Sequence, residues 1–550
     1  MYIMKSLFKL LALGALVVGA ASCSKSRAEQ MAMAENINVN CTPEVLVLVG
    51  DDIKADITVT YPAKYFHPNA KLMVTPVLVY EGGEVKAQTF VYQGEKVKEN
   101  NTVVPYDGGT VRQSVSFDYV KGVEKSHLEL RSVVDYNGTS YEVPAVKVAD
   151  GTNVTQLFAD QGGEFSFKKD AYQAVIKEST EGQILYQVNS ANVRNSELRS
   201  ESIKDLQAAL EEIANDPRYK ITDTRVVAYA SPEGGQEHNA KLSDKRAASA
   251  QKVWGKVTNG LNSENVEIQS VGQDWEGFQE AIQASNIEDK ELILRVLSMY
   301  SDPAVRESEI RNMSQVYTEI NKNVFPELRR ARFIADLEYQ NFSDAELEEL
   351  ARVAVDALDE ESLLRVAANA EKPERKAELY KMAAQKYNSD RAKFNLAVLA
   401  LGEGKADQAI SYLNSVKEVD GDVLNAKGVA EFKKGNEAAA VKLFQQAGTA
   451  EAKANLGMID LVNGNYAAAA AKLADTDSHN KAVAYILSGQ LDKASASITC
   501  NCARSNYLRA IIAARQGKAA DVAKYLDTVA KLNPAMKAKA DKDIEFANYR

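Results

Sequence analysis

Cysteine, histidine and tryptophan are scarce: this chain of 550 residues has four cysteines, four histidines and two tryptophans. So few thiols exclude a small fold stapled by disulfides. So few cysteines and histidines also leave little material for metal sites or nucleophilic catalysis. No catalytic Ser-His-Asp pattern, His-Glu-x-x-His motif, Gly-x-Ser-x-Gly motif or phosphate-binding loop is found in the sequence. We therefore expect a protein that is not an enzyme and that has no cofactor or metal.

An excess of positive charge is missing as well. Lys and Arg number 66 against 76 Asp and Glu, which gives a formal net charge of −10. Because binding to DNA or RNA depends on a basic surface that displaces counterions, we expect no nucleic-acid partner. Apolar residues make up 45% and charged residues 26% of the sequence, which is typical of globular domains. The length predicts three or four such domains.

A long hydrophobic run is also missing. The apolar stretch 10–21 holds about a dozen residues, whereas a membrane-spanning helix needs about 20. Lys5 and Lys9 precede this stretch and small residues end it, which is the pattern of a secretory signal peptide. We therefore predict a signal peptide over residues 1–22.

Cys23 directly follows the small residues Gly19-Ala-Ala-Ser22. This stretch resembles the lipobox of bacterial lipoproteins, which implies a lipid on the Cys23 thiol and a polar linker over residues 23–41. Ordinary cleavage near residues 20–22, with Cys23 left free, is the alternative. By resemblance to lipoprotein sorting, Ser24 and the lack of an acidic run after it imply a lipid anchor in the outer membrane, facing the periplasm. An acylated N-terminus of this kind carries more than one chain and anchors stably.

Residues 42–152 consist of short β-rich runs separated by turn residues. Val45-Leu-Val-Leu-Val49 and the run 72–80 are examples of such runs, and Gly82-Gly83 and Asn137-Gly138 are examples of the turns. Strands at a spacing of about 8–12 residues with turns of these types indicate an all-β sandwich. Beside a lipid anchor, such a domain is most simply a spacer or a protein-docking domain.

Residues 155–340 alternate between strands and helices, which indicates an α+β domain. The predicted strands are 184–188, 224–229, 266–271 and 328–337. Apolar residues at helical spacing over 203–213 predict a first helix, and a second is predicted from about Ser243 to Val257. The segment 274–325 is predicted to be a helical insertion in this domain.

Residues 344–550 contain helices interrupted by a recurring glycine and no convincing strand. The recurring glycines are Gly404, Gly435, Gly464, Gly489 and Gly517. We expect each glycine to cap one helix in the left-handed conformation and the alanines that follow to allow close helix packing. The pattern resembles tetratricopeptide repeats, which implies an all-α solenoid that binds protein partners. A stack whose surfaces bind nothing in particular is the alternative.

The central region carries the stretch Tyr229-Ala-Ser-Pro-Glu-Gly-Gly-Gln-Glu-His-Asn-Ala-Lys-Leu-Ser-Asp-Lys-Arg-Ala247, and Leu328-Arg-Arg330 precedes its last predicted strand. Both stretches resemble the peptidoglycan-binding domain of the OmpA family. The positions that match the family pattern are Gly234, Asn239, Leu242, Ser243, Arg246 and Ala247. Together with the repeats, the chain resembles outer-membrane lipoproteins of the Bacteroidota type.

In the OmpA family, a loop aspartate binds the ammonium group of diaminopimelate and a helix arginine binds its carboxylate. Here Ser231 stands at the aspartate position, with Glu233 beside it, and Arg246 stands at the arginine position. The resemblance thus implies a peptidoglycan site formed by Ser231, Glu233, Asn239 and Arg246. Pairing of Arg246 with Asp244 or a neighbouring acid, only in support of the fold, is the alternative.

Cys500-Asn501-Cys502 is a C-x-C pair whose disulfide ring would be strained. No second cysteine pair or nearby run of histidines completes a zinc site. We interpret the pair as buried or casually oxidised and assign it no function.

Together these patterns predict a multidomain, non-enzymatic outer-membrane lipoprotein. Its OmpA-like domain would contact peptidoglycan, and its repeats would hold protein partners. The alternative is an accessory or assembly factor for a surface fimbrial or secretion complex that does not bind peptidoglycan.

Overall fold

The computed structural model describes residues 31, 36–260 and 265–550. They group into two compact units. Unit 1 joins the described residues up to Lys168 with Lys393–Arg550, and unit 2 is Lys169–Ala392. The predicted signal peptide and the predicted lipid attachment site, Cys23, lie outside the described residues. Within the described part of the chain, no helix combines the length and the hydropathy needed to cross a membrane.

The N-terminal part of unit 1 is rich in β-structure. Its strands are β1 (Asn38–Thr42), β2 (Val45–Val49), β3 (Asp52–Tyr61), β4 (Ala70–Tyr80), β5 (Gly83–Lys86), β6 (Phe90–Gln93), β7 (Thr102–Val103), β8 (Gly109–Asp118), β9 (Ser126–Tyr136) and β10 (Thr139–Asn153). Strand β3 shows why these segments are strands, since every second residue from Ile53 to Tyr61 is buried. Alternation with a period of two places one face of each strand in the core.

Two groups of strands share β2. Strand β3 pairs antiparallel with β1, β2 and β8, and β9 pairs antiparallel with β4 and β10. Strand β2 also pairs with β10, in the parallel sense. The predicted β-rich N-terminal region is confirmed. Strands β1, β5 and β7 carry no clear strand signal in the sequence, because β1 is largely polar, β5 carries two charges and β7 has two residues.

The C-terminal part of unit 1 is built from helices. They are α12 (Asp390–Gly402), α13 (Ala406–Asn414), α14 (Gly421–Lys433), α15 (Glu437–Ala447), α16 (Ala450–Val462), α17 (Tyr466–Lys472), α18 (His479–Leu487), α19 (Leu491–Ser497), α20 (Ala503–Arg515), α21 (Ala519–Leu532) and α22 (Pro534–Ala540). Consecutive helices from α12 to α21 form pairs, and the pairs pack around two apolar cores. The predicted C-terminal helical region is confirmed.

Each of these pairs turns on one of the five recurring glycines, all of which have positive φ. At Gly435 (φ +83°), the glycine N–H bonds to the carbonyl of Phe432 at 2.9 Å, and the Asn436 N–H bonds to the carbonyl of Glu431 at 2.9 Å. This pair of hydrogen bonds is the Schellman motif, which satisfies carbonyls at the helix end and needs a residue in the left-handed conformation. The cap predicted from the glycine spacing is therefore present.

Unit 2 contains a four-stranded sheet with helices. The strands are β11 (Val175–Leu185), β12 (Tyr219–Ala230), β13 (Glu267–Gln273) and β14 (Arg330–Gln340), in the order β11–β14–β12–β13. Only β12 and β13 pair in the parallel sense. The helices before the insertion are α1 (Glu201–Asn215), α2 (Gln236–Gln251) and α3 (Trp254–Val257). Helix α1 buries Ile203, Leu206, Leu210 and Ile213, the spacing that predicted it.

The predicted insertion is helical and has its own core. Its helices are α4 (Trp275–Ala284), α5 (Lys290–Met299), α6 (Pro303–Asn312), α7 (Ser314–Asn323) and α8 (Phe325–Leu328). Asp274 caps α4 by accepting the Gly277 N–H at 2.9 Å, and it also accepts from Nε of Arg330 at 3.0 Å. This buried carboxylate ties the start of the insertion to β14.

The structure differs from the sequence analysis at several boundaries. Helix α2 begins at Gln236 rather than near Ser243, and the polar residues 236–242 form its first two turns. Residues 155–168 group with unit 1, where their hydrogen bonds lie, although we had predicted them in the OmpA-like domain. Helices α9 (Asp344–Val353), α10 (Glu360–Asn369) and α11 (Pro373–Tyr387) group with unit 2, although we had predicted them in the repeats.

Candidate functional site: an asparagine row on the helical repeats

A buried asparagine recurs on the first helix of consecutive pairs in unit 1. These residues, which we call the asparagine row, are Asn395, Asn425, Asn455 and Asn480, on α12, α14, α16 and α18. Each is at most 5% exposed. A buried amide is costly unless its donor and its acceptor are both paired, so the partners of the row identify what this face binds.

Those partners belong to the segment 154–168, which we call the connector. The Asp160 N–H donates to Oδ1 of Asn480 at 2.6 Å, and Nδ2 of Asn480 donates to the Asp160 carbonyl at 2.8 Å. Asn455 makes the same pair of bonds with the Glu164 N–H and carbonyl, at 2.6 and 2.9 Å. Each side chain thus pairs with the backbone of one residue as a neighbouring β-strand would.

The other two asparagines extend the row. Asn395 pairs with the N–H and carbonyl of Lys168 at 2.8 and 2.9 Å. Nδ2 of Asn425 donates to the Glu164 carbonyl at 2.9 Å, and its Oδ1 accepts from Asn455 at 2.9 Å. The three two-bond contacts fall on residues 160, 164 and 168, so every fourth residue of the connector is held. Contacts of this kind recognise the backbone of the bound segment and not its side chains.

Side chains secure the two ends of the connector. Phe158 is buried, with its ring centroid 4.5 Å from that of Tyr507, and Nη1 of Arg504 lies 3.2 Å from Oδ2 of Asp160. At the other end, Lys168 forms an ion pair with Asp420.

Between the ends, Gly163 passes very close to helix α14. A Cβ at this position would lie 2.8 Å from Cγ1 of Val429, and the φ of Gly163 is +83°. Both the space and the backbone conformation therefore require glycine here.

The connector carries two acidic side chains whose pKa values move in opposite directions. Burial, followed by the charges of Asp160 and Glu451, raises the pKa of the Glu164 carboxyl. The N–H of Gly162, followed by the charge of Arg504, lowers the pKa of Asp160. Docking therefore makes Glu164 easier to protonate and Asp160 harder to protonate than the same side chains in water.

A cavity of about 340 Å³ lies beside the connector. Glu164 of the connector and Leu401, Lys433 and Met458 of the helices are among its lining residues. The connector therefore does not fill this face of the repeats, and there is room for additional side chains.

The residues of the predicted peptidoglycan site lie in unit 2, where three of them share one loop network. Oγ of Ser231 donates to Oε1 of Glu233 at 2.8 Å, and Asn239 donates to the Ser231 carbonyl at 3.1 Å. The Glu233 carboxylate is held by Arg329 through two bonds of 2.8 and 2.9 Å. Glu233 is thus already paired with a cation of its own chain.

Arg246 has no exposed surface. Its guanidinium donates to the carbonyls of Tyr229, Ser190 and Gln187 at 2.8, 3.0 and 3.3 Å, and it lies 5.0 Å from the ring centroid of Tyr186. Burial lowers the pKa of Arg246 to about 10. Its hydrogen bonds among the described residues go to backbone carbonyls rather than to Asp244.

Two features were missed by the sequence analysis. The asparagine row has a readable signal, because each member precedes a repeat glycine by 9 or 10 residues. The second feature is His479, which lies next to Cys500 and Cys502 although it is 21 residues from the nearer one. These three residues are the ones in the described chain that could hold a metal.

No protein-family model matches the sequence, and no curated protein matches it. Among solved structures, a tetratricopeptide repeat protein from Parabacteroides merdae ATCC 43184 is 16% identical, with 34% of this chain and 85% of that chain covered and a TM-score of 0.28. The APC/C hetero-tetramer Cut9–Hcn1 is 12% identical, with 60% of this chain and 78% of that chain covered and a TM-score of 0.29. Similarities at these TM-scores do not establish a shared fold, so the repeat architecture is inferred from the helix pairs themselves.

Proposed function

We propose that this protein is a non-enzymatic scaffold whose repeats hold an extended polypeptide through the asparagine row. The observation that carries the proposal is the two-bond pairing of Asn480, Asn455 and Asn395 with connector backbone at every fourth residue. Because backbone is common to all peptides, the row would accept a partner segment of similar extended shape. The connector is then an internal ligand that a partner must displace.

A peptide-exchange experiment tests this function. A connector attached to the chain has an effective concentration in the range of about 1 mM, so a labelled peptide of residues 156–170 should bind the unaltered protein weakly. Gly163→Val places a side chain against Val429 and should release the tethered connector. We expect that variant to bind the peptide much more tightly, and the double variant Gly163→Val/Asn455→Ala to lose the gain.

The outcome distinguishes a face that binds exchangeable peptides from one that only holds the connector in place. If Gly163→Val is folded by circular dichroism and its connector is open to protease, yet the peptide does not bind, the asparagine row is not a peptide-binding face. If the peptide binds equally well after Asn455→Ala, the row does not carry the recognition.

We also propose that the scaffold is a lipoprotein, anchored through Cys23 in the outer membrane and facing the periplasm. The lipobox-like sequence supports this placement. Mass spectrometry of the mature N-terminus should find an acylated cysteine at position 23, and Cys23→Ser should release the protein from membranes. An unmodified Cys23 would overturn the anchor.

Peptidoglycan contact is a second proposal. It is supported by the hydrogen bonds that join Ser231 to Glu233 in the loop before α2 and to Asn239 in the first turn of that helix, where the OmpA-like pattern predicts the ligand. Binding would require Glu233 to exchange its Arg329 partner for a ligand ammonium. It would also require the residues that bury Arg246 to move so that its guanidinium becomes accessible. Retention of the soluble chain on isolated sacculi, raised by Ser231→Asp, would support contact.

Failure of folded protein to bind sacculi would overturn peptidoglycan contact and favour the accessory role in a fimbrial or secretion complex. Salt-resistant co-purification with one such complex would identify that role. Turnover of a cell-wall substrate, abolished by His238→Ala, would overturn the proposal that the protein is not an enzyme.

A further inference from the structure

Cys500, Cys502 and His479 converge at one point of unit 1. The two Sγ atoms are 3.3 Å apart, and each lies 3.5 Å from Nε2 of His479. His479 is the first residue of α18, whereas the cysteines lie in the segment between α19 and α20. Three soft or borderline ligand atoms from two separate parts of the chain therefore face one another.

These distances fit a metal better than a disulfide. A disulfide bond is about 2.05 Å long, so sulfurs 3.3 Å apart are unbonded thiols. Zinc binds cysteine sulfur at about 2.3 Å and histidine nitrogen at about 2.05 Å, so tetrahedral ligands lie about 3.8 Å (S to S) and about 3.6 Å (S to N) apart. The sulfur–nitrogen distances match within about 0.1 Å, and the sulfurs need to part by about 0.5 Å.

The surrounding chain favours thiolates at this point. Cys502 is the N-cap of α20, and its Sγ accepts the Ser505 N–H at 3.5 Å. A helix N-terminus stabilises negative charge on sulfur. Oγ of Ser505 lies 2.8 Å from Sγ of Cys500 and 3.0 Å from Nε2 of His479, so a buried hydroxyl orients two of the three groups.

We propose that Cys500, Cys502 and His479 bind one zinc ion, with the fourth position open to solvent or to the hydroxyl of Ser505. Both cysteines are exposed, so the ion has access. Three protein ligands with one open position is a coordination that zinc accepts readily. The ion would tie the segment before α20 to the start of α18, next to Asn480 of the asparagine row.

The test uses the full soluble chain, reduced and freed of metal. Zinc is titrated against a chromophoric chelator, and Co²⁺ is titrated separately to follow thiolate-to-metal charge-transfer absorption. We expect one ion per chain. Loss of an outer-shell partner alone weakens a metal site about 10–100-fold, so Cys500→Ser, Cys502→Ser and His479→Ala should each weaken binding at least about 100-fold. Cys41→Ser, a change at a buried thiol in β1, is the matched control and should leave binding intact.

A second measurement does not depend on the variants. X-ray absorption of the zinc-loaded chain should show two sulfur ligands at about 2.3 Å and one nitrogen at about 2.05 Å. Absence of one-to-one uptake when the thiols are shown to be reduced would overturn the site. So would uptake that survives the loss of both cysteines, or tight binding of Cu⁺ with none of Zn²⁺.

Discussion

Replacing Asn455 by alanine tests the placement of the connector most directly. The side chain has no exposed surface and makes three hydrogen bonds. Two join it to the N–H and carbonyl of Glu164, and the third joins it to Oδ1 of Asn425. The Asn455→Ala change removes all three without altering any residue of the connector.

The expected loss follows from the partners left behind. The Glu164 carbonyl still accepts from Asn425, so two groups lose their partner: the Glu164 N–H and Oδ1 of Asn425. A buried polar group without a partner costs about 1–3 kcal/mol. We expect docking of the connector to weaken by about 2–6 kcal/mol, which is about a 30- to 20,000-fold change in its equilibrium constant at 1.4 kcal/mol per factor of ten.

Hydrogen exchange of the connector amides measures this loss. The N–H groups of Asp160, Glu164 and Lys168 donate to asparagine side chains, so they should be protected in the unaltered protein. In Asn455→Ala the protection should fall by the factor given above, while amides within β3 and β4 keep theirs. Local opening is the quantity that such exchange reports.

A control and a clear failure complete the test. Asn436 is exposed on a repeat turn, where its amide donates to Glu431 at 2.7 Å, so Asn436→Ala should change protection by less than about 0.5 kcal/mol. Equal protection of the Glu164 amide before and after Asn455→Ala, in folded protein, would refute the pairing. Free exchange of that amide in the unaltered protein would refute the docked connector itself.

Three further changes have defined outcomes. Gly428→Ala would place a Cβ 2.6 Å from Cε1 of Phe444, so overpacking should destabilise the repeats by about 1–3 kcal/mol in a thermal melt, more than the helix propensity of alanine returns. Arg246→Ala leaves three carbonyls without their Arg246 donor and should lower the free energy of unfolding, measured in urea, by at least about 3 kcal/mol. Because the pKa of Glu164 is raised in the docked connector, the contribution of Glu164 to docking grows as pH falls through that raised pKa and is lost as pH rises. The difference in amide protection between the unaltered protein and Glu164→Gln, corrected for intrinsic exchange, should show this contribution.

Matched variants separate these effects from general damage. Gly435→Ala meets no atom within 4 Å, so it should cost only the strain of positive φ, about 1–2 kcal/mol. Lys245 is exposed beside Arg246, and Lys245→Ala should be neutral. Glu164→Gln should remove the gain in docking stability at low pH and leave the opposite dependence that the lowered pKa of Asp160 produces. If Gly428→Ala stabilises the repeats, Arg246→Ala is neutral, or Glu164→Gln leaves the pH profile unchanged, the corresponding argument is wrong.

Much of the secondary structure could be predicted because it depends on neighbours in sequence. The alternating residues of β3 and the spacing 203–213 in α1 specify which face of an element is apolar. Gly435 and the other repeat glycines mark helix ends because only glycine takes positive φ without strain. Boundaries at polar segments, such as the start of α2, were less predictable because hydrophilic residues are compatible with both helix and loop.

The candidate site could be predicted only in part. A resemblance in the sequence pointed to Arg246, but sequence does not reveal that its guanidinium donates to three carbonyls and that no surface of it remains exposed. The asparagine row was readable as a period, yet its partner was not, since residues 160–168 are separated from Asn395 and Asn480 by more than 200 positions. His479 and the C-x-C pair come together only because α18, α19 and α20 pack in sequence.

The sequence by itself determined the local elements of this protein: the β-rich region, the alternating strands and helices of the centre, and the glycine-capped helices of the repeats. These depend on side-chain periodicity and backbone preference over a few residues. Only the tertiary structure decided that the connector lies along the asparagine row and that two thiols lie next to an imidazole. It also decided that Glu233 pairs with Arg329 and that Arg246 donates to backbone carbonyls. Those contacts join residues far apart in the chain, and a buried polar group takes whichever partner the packing brings within hydrogen-bond reach.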